Sequence, residues 1–243
     1  MQQLNLQGKT KEEEAIEFIR LHEPPEGYFL GFSGGKDSVV LYDLTVKAGV
    51  KFSPFYSATG IDPPEVVKFI RKNYPEVTFC RPKESFFALI PKKGFPTKFT
   101  RWCCDKIKKD NTKHIPLSCR LVGIRAEESH KRAHRPKIDR YSKKQVLYKP
   151  IFSWLEWEIW EHIDHYEISY CSLYDEGFDR LGCVICPFIC RPGRLERHKE
   201  RWPKQYRTFE HAMKRLWDKG RPNNVPWRET TFQEFLNNWY AGK

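Results

Sequence analysis

"YFLGFSGGKDSVVLYDLTVKAG", residues 28–49, decides the fold. An apolar run from Tyr28 to Phe32 leads straight into Ser33-Gly34-Gly35-Lys36-Asp37-Ser38, and an apolar-periodic segment then runs to Gly49. This predicts a strand over 28–32, a tight loop, and a helix stopped at Gly49. Two glycines let a backbone turn sharply and approach a ligand closely. Backbone N–H groups at a helix start, joined by a lysine and hydroxyls, make an anion site. The loop is not a Walker phosphate loop: that motif has Gly where Leu30 stands and Ser or Thr where Asp37 stands.

The same alternation continues outward. Residues 51–57 ("KFSPFYS"), 77–80 ("VTFC") and 120–124 ("RLVGI") read as strands, and 11–21, 63–74 and 103–113 as helices. The expected fold class is α/β: a doubly wound, mostly parallel sheet with helices on both faces. After Pro150 the pattern changes. Residues 153–166 ("SWLEWEIWEHIDHY") predict an aromatic amphipathic helix with Ser153 and Glu156 in capping-box spacing. Further helices are expected near 203–219 and 231–240. The expected organisation is a nucleotide-binding α/β domain over 1–150 and a helical, Cys-containing extension over 151–243, both within one globular unit.

The chain has 243 residues and a net charge of +12. Residues 92–144 hold 17 Lys/Arg against five Asp/Glu, so the remainder is neutral as a whole, although 191–243 is again basic. Trp102, Tyr141 and three histidines lie among the charges of 92–144. Concentrated positive charge with aromatics predicts an anionic partner, nucleic acid or a polyphosphate. The alternative is a solvated face. No apolar run approaches the roughly 20 residues of a membrane span, and residues 1–19 lack the apolar core of a secretion signal. The expectation is a cytoplasmic protein with no membrane partner.

Eight cysteines in such a chain point to metal or redox chemistry rather than disulfides. Cys103-Cys104 are adjacent, and Cys183-x-x-Cys186 follows with Cys190 close by. A C-x-x-C turns two thiolates onto one centre, and a second pair completes four ligands, as for zinc or a [4Fe–4S] cluster. A redox dithiol and buried, inert thiols are the other readings. Cys190 is a spare thiol, able to replace a ligand or carry a persulfide. Cys80, Cys119 and Cys171 lie in apolar or strand-like contexts and are read as core.

Ser33-Gly34-Gly35-Lys36-Asp37-Ser38 resembles the PP-loop of the N-type ATP pyrophosphatases, the adenine nucleotide α-hydrolases. Thr59-Gly60-Ile61-Asp62-Pro63-Pro64-Glu65, and Gly123-Ile124-Arg125-Ala126-Glu127-Glu128-Ser129 with Arg132, resemble segments of the phosphoadenosine phosphosulfate reductase-like branch. The resemblance covers most of residues 28–190. It implies that Ser33, Gly34, Gly35, Lys36, Asp37 and Ser38 hold the pyrophosphate of ATP, with Mg²⁺ or loop orientation as the task of Asp37. It places Thr59 and Gly60 by the adenosine and Arg125 at the α-phosphate, with Lys36, Asp37 and Arg125 as catalytic. It also implies a [4Fe–4S] cluster on Cys103, Cys104, Cys183 and Cys186, with zinc as the alternative.

The sequence departs from the sulfonucleotide reductases in one respect. Those enzymes carry a catalytic cysteine on a C-terminal tail, and residues 191–243 contain none. The layout resembles better the pyrophosphatase components of DNA phosphorothioation systems and the reductase-like accessory proteins of some CRISPR systems. The expected function is therefore adenylation of an acceptor, nucleic acid by its charge, with release of pyrophosphate for sulfur transfer. A cysteine desulfurase or another sulfur donor is the expected partner; the oligomeric state stays open, with a homodimer as the common assembly for such folds. The alternatives are reduction of phosphoadenylyl or adenylyl sulfate, and a non-catalytic nucleic-acid-binding accessory protein.

Overall fold

The structure, a computed structural model, describes residues 8–142, 144–189, 193–220 and 226–242. Cys190 lies outside them. The chain divides into two compact units. The first comprises 1–56, 64–79 and 115–181, and the second 57–63, 80–114 and 182–243. This division does not follow a border near residue 150: the segment 151–181 belongs with the sheet, and 80–114 with the C-terminal helices.

The first unit is built on a six-stranded sheet. Its elements are α1 (Lys11–Leu21), β1 (Tyr28–Gly31), α2 (Lys36–Ala48), β2 (Phe52–Ser57), α3 (Pro64–Asn73), β3 (Thr78–Cys80), β4 (Cys119–Val122), β5 (Ile138–Ser142), β6 (Gln145–Tyr148) and α6 (Glu156–His165). The strand order is β3-β2-β1-β4-β6-β5. β1 pairs in parallel with β2 and β4, placing Leu30 between Pro54 and Leu121. β4 pairs in parallel with β6, while β5 is an antiparallel edge. Tyr28, Phe29 and Leu30 of β1 are all buried, the continuous apolar pattern of a strand covered on both faces. The sheet is mostly parallel, as expected. The β5–β6 hairpin was not legible in the sequence, because Asp139 and Arg140 give the edge strand the charged composition that keeps edges from pairing.

The topology positions the site. The chain moves from β1 through β2 to β3 on one side, then returns to place β4 on the other side of β1. The loops leaving β1 and β4 therefore part at the switch point where open α/β sheets take their ligands. Packing there is close. A Cβ on Gly123, just past β4, would stand 2.9 Å from the Asp37 carbonyl oxygen.

Two local expectations are corrected. The helix after Pro150 begins with Leu155 as its N-cap, not at Ser153. Turns closed by Phe152 N–H to Lys149 O and Trp154 N–H to Ile151 O use up the intervening residues. Glu158 then caps the helix by accepting the Leu155 N–H at 2.6 Å, which leaves Glu156 for other work. The basic segment 103–113 is not a regular helix but a π-helical turn, Cys104–Lys109, followed by a tight 3-10 turn, Asp110–Thr112.

The second unit contains α4 (Phe86–Lys93), α7 (Arg194–Arg201), α8 (Pro203–Lys219) and α9 (Phe232–Tyr240). Its core is aromatic. Phe86 stacks with Trp102 and Phe209 at ring separations of 5.7 and 6.3 Å, and Phe209 meets Trp239 at 4.6 Å. α8 presents Tyr206, Phe209, Ala212, Met213 and Leu216 inward at helical spacing. Among the described residues no helix is long and apolar enough to cross a membrane.

Gly123→Ala is expected to lower stability by about 1–3 kcal/mol, because the obstructing atom is backbone and overpacking is relieved only by moving it. Urea unfolding followed by circular dichroism measures this.

Candidate functional site

The site in the first unit starts with the entry into α2. Gly34 has φ +73°, and a Cβ there would press on Ile70 and Val66 at 3.0 Å, so the turn needs glycine. Gly35 is the N-cap of α2 and offers no side-chain cap, which leaves the first-turn N–H groups to other acceptors. The loop is held from within by serines. Gly35 N–H donates to Ser33 Oγ at 3.3 Å, and Ser38 Oγ donates to Gly35 O at 2.8 Å. Ser33 and Ser38 hydroxyls meet at 3.1 Å.

Arg125 comes from the loop after β4 and is 3% exposed. Its Nε donates to Asp37 Oδ1 at 2.5 Å, and its Nη1 donates to Glu127. Burial opposes the guanidinium's charge, and the Asp37 and Glu127 carboxylates outweigh burial and hold it charged. Glu127 also accepts the Glu156 N–H at 2.7 Å, so the start of α6 is fixed to the same arginine. Arg125 N–H donates to Glu128 at 3.1 Å, and Glu128 pairs with Arg132.

Lys36 is 5% exposed. Its Nζ donates to Asp179 O at 2.9 Å and lies 3.2 Å from Glu156 Oε1. The ammonium also sits 5.3 Å from the ring centre of Tyr174 and 6.0 Å from that of Trp160. Lys36 N–H donates to the Tyr174 hydroxyl at 2.9 Å. Tyr174, Glu156, Trp160 and Asp179 were not foreseen. Glu156 had been read as a helix cap, and Tyr174 lies 138 positions from its partner with no motif around it.

Ser33, Gly34, Gly35, Lys36, Asp37 and Ser38 thus form the turn into α2, and Arg125 joins them through Asp37; a helix start with cationic side chains beside it is suited to an anion.

Thr59 and Gly60 belong to the second unit, and there they stand with the thiols. Thr59 N–H donates to Asp62 at 2.6 Å, Gly60 has φ +77°, and Thr59 Oγ1 lies 3.9 Å from Cys183 Sγ. Cys103, Cys104, Cys183 and Cys186 share one electrostatic neighbourhood. The Cys103 thiol is pushed up by its hydrogen bond with Cys104, by burial, and by the charges of Cys104, Cys183 and Cys186. The same hydrogen bond, with help from Lys108 and Arg101, pushes Cys104 down to about 6. Lys108 is raised chiefly by Cys183, against burial, and further by Asp62 and Cys104. Burial raises Cys186.

The seven described cysteines form no disulfide. An all-sulfur donor set suits zinc or an iron–sulfur cluster in kind. The arrangement does not: among the described residues no three His, Cys, Asp or Glu are placed to hold a metal ion. Cys103, Cys104, Cys183 and Cys186, expected as metal ligands, stand as one electrostatic neighbourhood with a hydrogen bond between Cys103 and Cys104 and with Lys108 beside Cys183.

The profile of the phosphoadenosine phosphosulfate reductase domain matches residues 27–188. An uncharacterised protein of Methanocaldococcus jannaschii, MJ0066, is 31% identical over 224 residues, covering 86% of this chain and 46% of its own length. The chain therefore spans about half of that relative. A protein of Schizosaccharomyces pombe named "Probable FAD synthase" is 33% identical over 175 residues, covering 70% of this chain and 63% of its own. Among solved structures, phosphoadenylyl-sulfate reductase from Candida auris superposes with a TM-score of 0.56 at 18% identity, covering 74% of this chain and 96% of that one. It shows the same mostly parallel α/β fold.

Proposed function

This chain belongs to the phosphoadenosine phosphosulfate reductase domain family, and from that premise we propose that it is an ATP pyrophosphatase that adenylates an acceptor for sulfur transfer. The observation that carries the reading is the buried pairing of Arg125 with Asp37 in the first turn of α2, beside Lys36 and the glycine turn, at the switch point of the sheet. Such a site binds the phosphate chain of an adenine nucleotide. Ser33, Gly34, Gly35, Lys36, Asp37 and Ser38 receive the pyrophosphate, and Arg125 stabilises charge developing at the α-phosphate. Mg²⁺, which Asp37 would hold, supplies further neutralisation of the leaving pyrophosphate. The likeness to a protein named for making a flavin adenine dinucleotide favours adenylyl chemistry.

An acceptor oxygen attacks the α-phosphorus, the bond to the bridging oxygen breaks, and pyrophosphate leaves. A persulfide sulfur then displaces AMP from the activated acceptor, and a second thiolate attacks the resulting disulfide to release the thiolated acceptor. The protein disulfide so formed is returned to thiols by an external thiol reductant. The thiol group of the second unit supplies this pair, with the depressed Cys104 as a nucleophile. A cysteine desulfurase is the class of partner that loads the sulfur.

Nucleic acid is the proposed acceptor. The net charge of +12 supports it, as does the outer face of α8, where Lys204, Arg207, His211, Lys214 and Arg215 are all exposed. Reduction of a sulfonucleotide, the reaction named by the family, is the second reading.

Lys36→Ala is expected to abolish pyrophosphate release from ATP, measured with a coupled phosphate assay; normal release would remove Lys36 from the reaction. Cys104→Ser is expected to lower sulfur incorporation into the acceptor by about tenfold or more while pyrophosphate release stays within about twofold. Equal losses in both would tie the thiols to the nucleotide step instead.

A further inference from the structure

Within this nucleotide site two groups stand where a bound anion would make its contacts. The N–H of Lys36 is the first of α2, the group that an anion at a helix start uses. It is taken by the Tyr174 hydroxyl at 2.9 Å. That oxygen lies over the loop itself, 3.3 Å from the position a Cβ on Gly35 would occupy, with Ser33 Oγ at 3.4 Å from the same point. The ammonium of Lys36 is meanwhile occupied by Glu156 Oε1 at 3.2 Å and by the Asp179 carbonyl. A neutral oxygen thus sits on the backbone donor, and a carboxylate on the lysine.

We propose that Tyr174 and Glu156 are internal occupants of the anion cradle, which a pyrophosphate group must displace in order to bind. This rests on the reading of the loop as a nucleotide site and adds two residues to it. The two differ in how they are held. Tyr174 is fixed by its surroundings: its ring meets Trp160 edge-on at 5.2 Å, and its backbone closes a turn with Cys171 O at 3.1 Å. The neighbours Cys171 and Leu173 are 1% and 0% exposed. Glu156 has a side chain 51% exposed and is free to swing into water. Exchange therefore begins at Glu156, whose exposed pair with Lys36 is weak. It is completed when an anion oxygen replaces the Tyr174 hydroxyl at the Lys36 N–H. An ionised oxygen makes the stronger hydrogen bond there, which drives the exchange forward. A diphosphate brings enough oxygens to take over both positions at once.

Tyr174 and Glu156 act as positioning residues. They occupy the donors that an anion would use, Tyr174 the Lys36 N–H and Glu156 the ammonium. Their removal is expected to strengthen anion binding, an effect that a merely structural role would not produce. The test is isothermal titration of the full chain with inorganic pyrophosphate, comparing wild type, Tyr174→Phe and Glu156→Gln. Tyr174→Phe keeps the ring under the ammonium and deletes the competing oxygen. Each variant is expected to bind pyrophosphate about two- to fivefold more tightly than wild type, the scale of one net hydrogen bond or exposed ion pair. Unchanged or weaker binding in both overturns the proposal. Should Tyr174→Phe fail to fold, Glu156→Gln, on an exposed side chain, decides alone. A wild-type protein that binds neither pyrophosphate nor ATP overturns the nucleotide site itself, a result distinct from failure of the displacement.

Discussion

Arg125 is the constraint on which the site depends. It is buried and charged, so it must be paired, and its two carboxylate partners tie together three places in the chain. Asp37 lies in the first turn of α2, Glu127 in the loop after β4, and Glu127 in turn holds the first N–H of α6. One guanidinium therefore fixes the relative placement of the loop after β1, the loop after β4 and the helix that carries Glu156. The parallel pairing of β1 with β4 brings these loops side by side, and Gly123 lets them approach to van der Waals distance. Arg125 thus sets both the shape of the loop proposed to receive an anion and the charge beside it.

The second consequence concerns Lys36. A lysine 5% exposed must have its charge matched within the fold. Here the ammonium is matched by a carbonyl, a carboxylate and two aromatic faces. On the proposed reading, a ligand at this loop gains only by what it adds beyond these internal contacts. The thiol group of the second unit shows a similar economy. The hydrogen bond between Cys103 and Cys104 pushes the first thiol up and the second down, which favours Cys104 as the thiolate of the pair.

Much of this was legible in the sequence, and for identifiable reasons. The strand-loop-helix of residues 28–49 rests on local signals, apolar periodicity and two glycines, and the structure reproduces it down to Gly49 in the left-handed conformation at the end of α2. The grouping of Lys36, Asp37 and Arg125 followed from motif chemistry. What failed or was missing depended on tertiary pairing. Glu156 carried a capping spacing, but the turns before it moved the helix start, and Lys36 claimed its carboxylate. Tyr174 has no local signature because its role is set by a hydrogen bond across the fold. The four cysteines meet as a neighbourhood, as their spacing suggested, whereas Lys108 beside Cys183 had no signal in the spacing. The border expected near residue 150 rested on a change of composition, whereas the observed units interleave three segments each.

The most direct measurement is a pair of calorimetric titrations on anaerobically purified protein, one with ATP and Mg²⁺ and the other with phosphoadenosine phosphosulfate. The account predicts clear preference for ATP. Preference for the sulfonucleotide would contradict it, making the chain a reductase in substrate as well as in family.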